Sequence, residues 1–154
     1  GRRDGIGGGR APGEKAPGFG EGVARMPHLY LECSGNIIEP LEPGRIFAPL
    51  HAALAAAGMF RLQDCKSRLI RRDQYVIGDG SGHRAFVTLE IATFAGKSEA
   101  EKKLITQTAL DVLLSCFETS LADLDCDIAV RITEIERAAY ARRRSHETDP
   151  DRTP

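Results

Sequence analysis

The sequence has almost no excess of charge of either sign: 21 Lys and Arg stand against 22 Asp and Glu, a formal net charge of -1. Such a balance supplies no overall field to attract nucleic acid or an anionic membrane, so any anion site must be local. No run approaches the roughly 20 apolar residues that a bilayer span needs. The first 25 residues also lack the apolar core of a signal peptide. Neither nucleic acid nor a membrane is an expected partner, and the chain reads as cytoplasmic. The four cysteines, Cys33, Cys65, Cys116 and Cys126, form no CxxC pair, and the four histidines, His28, His51, His83 and His146, show no HExxH spacing. Hence no metal site and no redox motif is expected, and the thiols are read as buried and free.

What is present is a chain of 154 residues, 42% hydrophobic and 28% charged, which is sized for one globular domain. Residues 1–25 are dominated by Gly, Pro and charge and cannot bury enough surface to offset the entropy of ordering, so they read as a disordered extension. At Met26 the character changes. His28 to Cys33 alternates polar and apolar residues as a half-buried strand does. Asn36 to Gly44 is a connection, and Ile46, Phe47, Leu50, Ala53, Leu54 and Ala57 then recur at helical spacing up to a Gly58 cap, with Pro49 expected in a first turn or at a kink. A second strand is predicted over Cys65–Arg71, with Lys66, Arg68 and Ile70 on one face. Gln74 to Ile77 reads as a short edge strand before the glycine-rich turn 78–82, and Ala85 to Phe94 as the strongest strand. Ser98 and Glu101 fit a capping box opening a helix over 98–121, and Asp127 to Thr133 alternates as the last strand. One domain is read over 26–140, followed by a charged tail over 141–154.

The element order, strand–helix–strand twice over, predicts a two-layer α+β fold of α/β type. Its tandem βαβ units form a four-stranded sheet with both helices on one face. The other face, partly apolar and uncovered, favours burial against further subunits, so a homo-oligomer is expected.

Pro27 follows Met26. If the chain began at Met26 and lost that residue, Pro27 would present a free secondary amine of fixed ring geometry. An α-amino group titrates near 7.7–8.0, and apolar surroundings and nearby cations both favour its neutral form, giving a base usable at pH 7. As an internal residue, Pro27 would merely begin a strand. The chain opens on glycine, and codons for Glu21-Gly22 can read GAGG, a ribosome-binding sequence shortly before Met26. A start assigned too early is therefore the expectation for residues 1–25.

The stretches MPHLYLECSGNI (26–37), ALAAAGMF (53–60), DCKSR (64–68), YVIGDG (75–80), RAFVTLEI (84–91) and AGKS (95–98) resemble the 5-carboxymethyl-2-hydroxymuconate isomerases of the tautomerase superfamily. The resemblance implies a tautomerase-like trimer, an amino-terminal proline as catalytic base, no cofactor and no metal, and a step in bacterial breakdown of homoprotocatechuate. It places the base at Pro27 and substrate-binding cations at Lys66 and Lys97, where some relatives carry arginine. Arg68, on the Lys66 face, is a third candidate. The substrate implied is a small carboxylated enol or dienol whose double bond is moved. Two alternatives stand beside it: a tautomerase of a smaller enol or keto acid, and a non-catalytic ligand-binding or assembly module if the extension is retained.

Overall fold

The computed structural model describes residues 26–146; the extension 1–25 and the end of the tail, 147–154, lie outside the described residues. Two βαβ units are joined in one four-stranded sheet of order β2-β1-β3-β4. Strand β1 (His28–Ser34) pairs in parallel with β2 (Lys66–Arg72) and antiparallel with β3 (Arg84–Phe94), and β3 pairs in parallel with β4 (Asp125–Ile135). This is the expected fold class. Period-two alternation decides the faces: Leu29, Leu31 and Cys33 of β1 and Ala85, Val87, Leu89 and Ile91 of β3 are all buried toward the helices. Helix α1 (Pro43–Ala56) contributes Ile46, Phe47, Leu50 and Leu54 to that core, and α2 (Glu99–Cys116) contributes Ile105, Ala109 and Leu113. Fully burying side chains of this size stabilises by about 1.5–3 kcal/mol each before entropy is counted.

The helix ends follow local chemistry. Ser98 accepts from the Glu101 N–H while the Glu101 carboxylate accepts from the Ser98 N–H, the reciprocal capping box expected from the sequence. Gly58, at φ 81°, follows the C-cap Ala57 in the left-handed conformation that glycine adopts without penalty.

Pro49 lies inside α1 and past its first turn, so of the two places expected for it the first turn is excluded. Three expectations need correction. Gln74–Ile77 forms no strand: the chain from β2 to β3 must pass around the end of β1, so it crosses strand ends instead of running along an edge. The helix expected over 98–121 is two helices, α2 and α3 (Glu118–Asp123), broken at Phe117 (φ -121°, ψ 32°). The cause of the break is remote in sequence. Glu39 accepts from the N–H of Thr119 at 2.8 Å and of Ser120 at 3.2 Å, capping the start of α3, while buried Phe117 turns into the core. Finally, the last strand is longer than Asp127–Thr133 and runs from Asp125 to Ile135.

Candidate active site

Antiparallel pairing of β1 with β3 brings the start of β1 and the end of β3 to one end of the sheet, with His28 opposite Ala92. The start of β2 joins them, because the Lys66 N–H donates to the Pro27 carbonyl at 3.2 Å. Pro27 is buried at this end. Met26 before it is wholly buried against Ala92 and Phe94, with Tyr30, Ile135 and Tyr140 around it. The residue bonded to the Pro27 nitrogen thus sits in an apolar cluster, and within this chain that nitrogen is an amide.

The candidate cations separate into two places. Lys66 and Arg68 share the open sheet face, in register with His28 and Tyr30. Lys97 lies just beyond β3, on the helix side: its ammonium donates to the Thr93 hydroxyl at 3.1 Å and sits 5.4 Å from the centre of the Phe60 ring. Burial holds the Lys97 pKa below its ordinary value; Glu101 and Glu134 oppose the shift and Arg137 adds to it. Thr93 is one step beyond the His28–Ala92 pair, beside Pro27, so both groups of cations flank the start of β1 from opposite faces.

Arg68 is engaged within the protein. Its guanidinium lies 4.3 Å from the centre of the Tyr30 ring, and both terminal nitrogens approach His28 Nδ1 at 3.3 Å. A guanidinium can only donate, so Nδ1 accepts and the ring proton belongs on Nε2. Nε2 stands 3.1 Å from the Tyr140 hydroxyl. Burial, then the charges of Arg68 and Lys66, lower the His28 pKa and keep the ring neutral, as this bonding requires.

Tyr140 is a participant that periodicity could not reveal. After the 3₁₀ turn Arg137–Ala139, it packs edge-on against Phe94 at 5.3 Å between ring centres, and residues 140–144 then run back toward β2. There a cleft of about 260 Å³ is lined by Asp64, Lys66, Tyr140, Arg142, Arg143 and Arg144. A second hollow, about 360 Å³, lies at the opposite end of the sheet among Asn36, Asp73, Tyr75, Ile77, Ser81 and Arg84.

The thiols are free, with Cys33 buried and the others half-buried. Burial raises the pKa of Cys33, Cys116 and Cys126 and pushes Cys65 up to about 11, which leaves them poor nucleophiles at neutral pH. Among the described residues no three His, Cys, Asp or Glu side chains are grouped to hold a metal ion, and no helix is long and apolar enough to cross a membrane.

Comparison with known proteins gives a consistent answer. The family model for 5-carboxymethyl-2-hydroxymuconate isomerase matches residues 27–148. The 5-carboxymethyl-2-hydroxymuconate Delta-isomerase of Escherichia coli is 33% identical over 99 residues, covering 64% of this chain and 75% of that protein. The structure of a 5-carboxymethyl-2-hydroxymuconate isomerase from Deinococcus radiodurans R1 is similar at a TM-score of 0.71 and 29% identity, covering 79% of this chain and 92% of that one. A fused 4-OT symmetric trimer shares the fold alone, with a TM-score of 0.57 and 14% identity over 73% of this chain and 90% of that one.

Proposed function

The chain belongs to the 5-carboxymethyl-2-hydroxymuconate isomerase family, and from that premise we propose that it is an isomerase of this substrate with Pro27 as general base. The observation that carries the assignment is where the family match begins. It starts on Pro27, the buried residue at the sheet end flanked by Lys66 and Lys97. A chain beginning there has a free secondary amine facing the apolar surround that Met26 otherwise fills. Apolar walls and two nearby ammonium groups each favour the neutral amine, so the base is available near pH 7.

In the reaction the amine takes the proton of the 2-hydroxyl group. The electron pair moves through the conjugated diene, the C2 oxygen becomes a carbonyl, and the same proton returns to carbon 5, leaving one double bond between carbons 3 and 4. Nothing is gained or lost, so the chemistry draws on no cofactor. The protein supplies position and charge: Lys66 and Lys97 hold carboxylates and stabilise the negative charge of the dienolate, with Arg68 behind them. Physiologically the reaction belongs to the breakdown of aromatic acids in the cytoplasm. The working unit is a homo-oligomer, a trimer, that covers the open sheet face.

One observation favours a second reading. With the residues before Pro27 attached, its nitrogen is an amide and Met26 occupies the niche beside it, an arrangement that suits a ligand-binding module. Following the dienol's ultraviolet absorbance with protein beginning at Pro27, on the tri-acid and on a mono-acid enol, separates the possibilities. Turnover of the tri-acid is the expected result. Turnover of the mono-acid alone favours a smaller-enol tautomerase, and no turnover of either favours the binding module.

A further inference from the structure

Three carboxylates on the proposed substrate demand more cationic contact than the open face near Pro27 supplies. Arg68 is turned toward His28 and Tyr30, and Lys97 lies on the helix side. Lys66 and Lys97, from the two faces, answer two of the three carboxylates, and beyond Lys66 lies the cleft that Tyr140 and the following arginines close. Asp64, the one carboxylate among the described residues that line it, is 5% exposed and faces Arg61 at 3.9 Å.

The hydrogen-bond polarity of the neighbouring chain gives this cleft a donor. Arg68 donates to His28 Nδ1, so His28 Nε2 donates to the Tyr140 oxygen, and the Tyr140 hydroxyl proton is directed to another acceptor. Edge-on packing against Phe94 fixes the ring. A phenol donor beside an ammonium and planar guanidinium forks is the chemistry that recognises a carboxylate.

Resting on the reading of Pro27 given above, we propose that the segment Tyr140–Arg144 is a specificity element. Tyr140, Arg143 and Arg144, with Lys66, bind one further carboxylate of the substrate, and Arg68 and His28 act as positioning residues for Tyr140. The tail thereby selects a polyacid over a mono-acid without touching the base.

Two measurements test this separately from the assignment of the reaction. In the full chain, where the cleft is already formed, propane-1,2,3-tricarboxylate is titrated against acetate by calorimetry. The full chain binds the tricarboxylate in preference to acetate, and the double variant Arg143→Ala/Arg144→Ala weakens its binding about 10- to 100-fold, the loss of one or two charge-assisted contacts. Both arginines are exposed, so melting curves should coincide. In protein beginning at Pro27, the same variant raises KM for the tri-acid by a similar factor, leaves kcat within about twofold, and leaves a mono-acid enol unaffected. Tyr140→Phe moves KM the same way by a smaller factor. No tricarboxylate preference in the full chain, undiminished tricarboxylate binding in the double variant, or an equal loss for the mono-acid, overturns the subsite. If the tri-acid is not turned over but the binding preference and its loss persist, the subsite stands and the assignment of the reaction falls.

Discussion

The two ends of the sheet are built alike, but the adjoining strand opens with cations at one and with carboxylates at the other. At one end β1 opens beside β2, with His28 opposite Lys66 and Tyr30 opposite Arg68; at the other β3 opens beside β4, with Arg84 opposite Asp125 and Phe86 opposite Asp127. Each end carries a hollow. Only the first has a proline before its strand and cations at the start of the adjoining one. At the second, Arg84 lies 3.5 Å from Asp79 and 3.9 Å from Asp125, so its charge is met within the protein. The duplicated topology therefore repeats one arrangement, and the residues at the strand starts make its two ends chemically different.

The comparison breaks most directly at the prolyl nitrogen. In protein beginning at Pro27, Pro27→Ala, which replaces the fixed ring amine with a freely rotating primary amine, should lower kcat by about 10²-fold, the lower end of a positioned base's contribution, while His83→Ala, at the matching place in the second unit, should leave the rate within about twofold. Steady-state absorbance assays of both variants check this. Next in size are the cations: Lys97→Ala and Lys66→Ala should each reduce kcat/KM for the tri-acid by about 10- to 100-fold, as expected for loss of a hydrogen bond to a charged group. Asp125→Ala, the counterpart of Lys66, should leave the assay unchanged.

What made this division legible from sequence was local. Alternation from His28 onward, the Ser98–Glu101 box and the glycine at 58 are short-range signals, and each led to the element observed. The failures were long-range. The helix break at Phe117 is stabilised by Glu39, some eighty residues earlier, and Gln74–Ile77 is kept out of the sheet by having to round the end of β1. Of the candidate site, Pro27 and the two lysines follow from strand starts and resemblance. That Arg68 faces inward to His28, and that Tyr140 and Arg143 return to the Lys66 side, depends on packing between segments more than a hundred residues apart for His28 and Tyr140. An aromatic followed by a run of arginines was the available signal, and composition alone reads it as a solvated tail.

Smaller effects sharpen the comparison further. Glu39 joins the first unit to the second; its pKa is pushed up by burial but brought below normal by the Ser120 hydroxyl and the N–H groups of Ser120 and Thr119. Glu39→Ala leaves buried Ser120 without this partner and should cost about 1–3 kcal/mol in urea unfolding, with little effect on KM. The pH dependence of stability should also carry a share from the Pro27 end. His28 is held below its ordinary 6.5 by burial first, then by Arg68 and Lys66, so the unfolded chain takes up the proton more readily. That contribution is complete above pH 6.5 and is lost as pH falls through the lower folded value. His28→Gln should flatten the decline measured by melting in mildly acid buffers, leaving the share due to His51, whose pKa burial also lowers.

The central claim is that the amine of Pro27 is the base, and it is tested by comparing protein that begins at Pro27 with the 154-residue chain on the same dienol. Protein beginning at Pro27 should isomerise it at least about 10²-fold faster, since an amide nitrogen cannot accept the proton. Equal rates from the two would contradict the account.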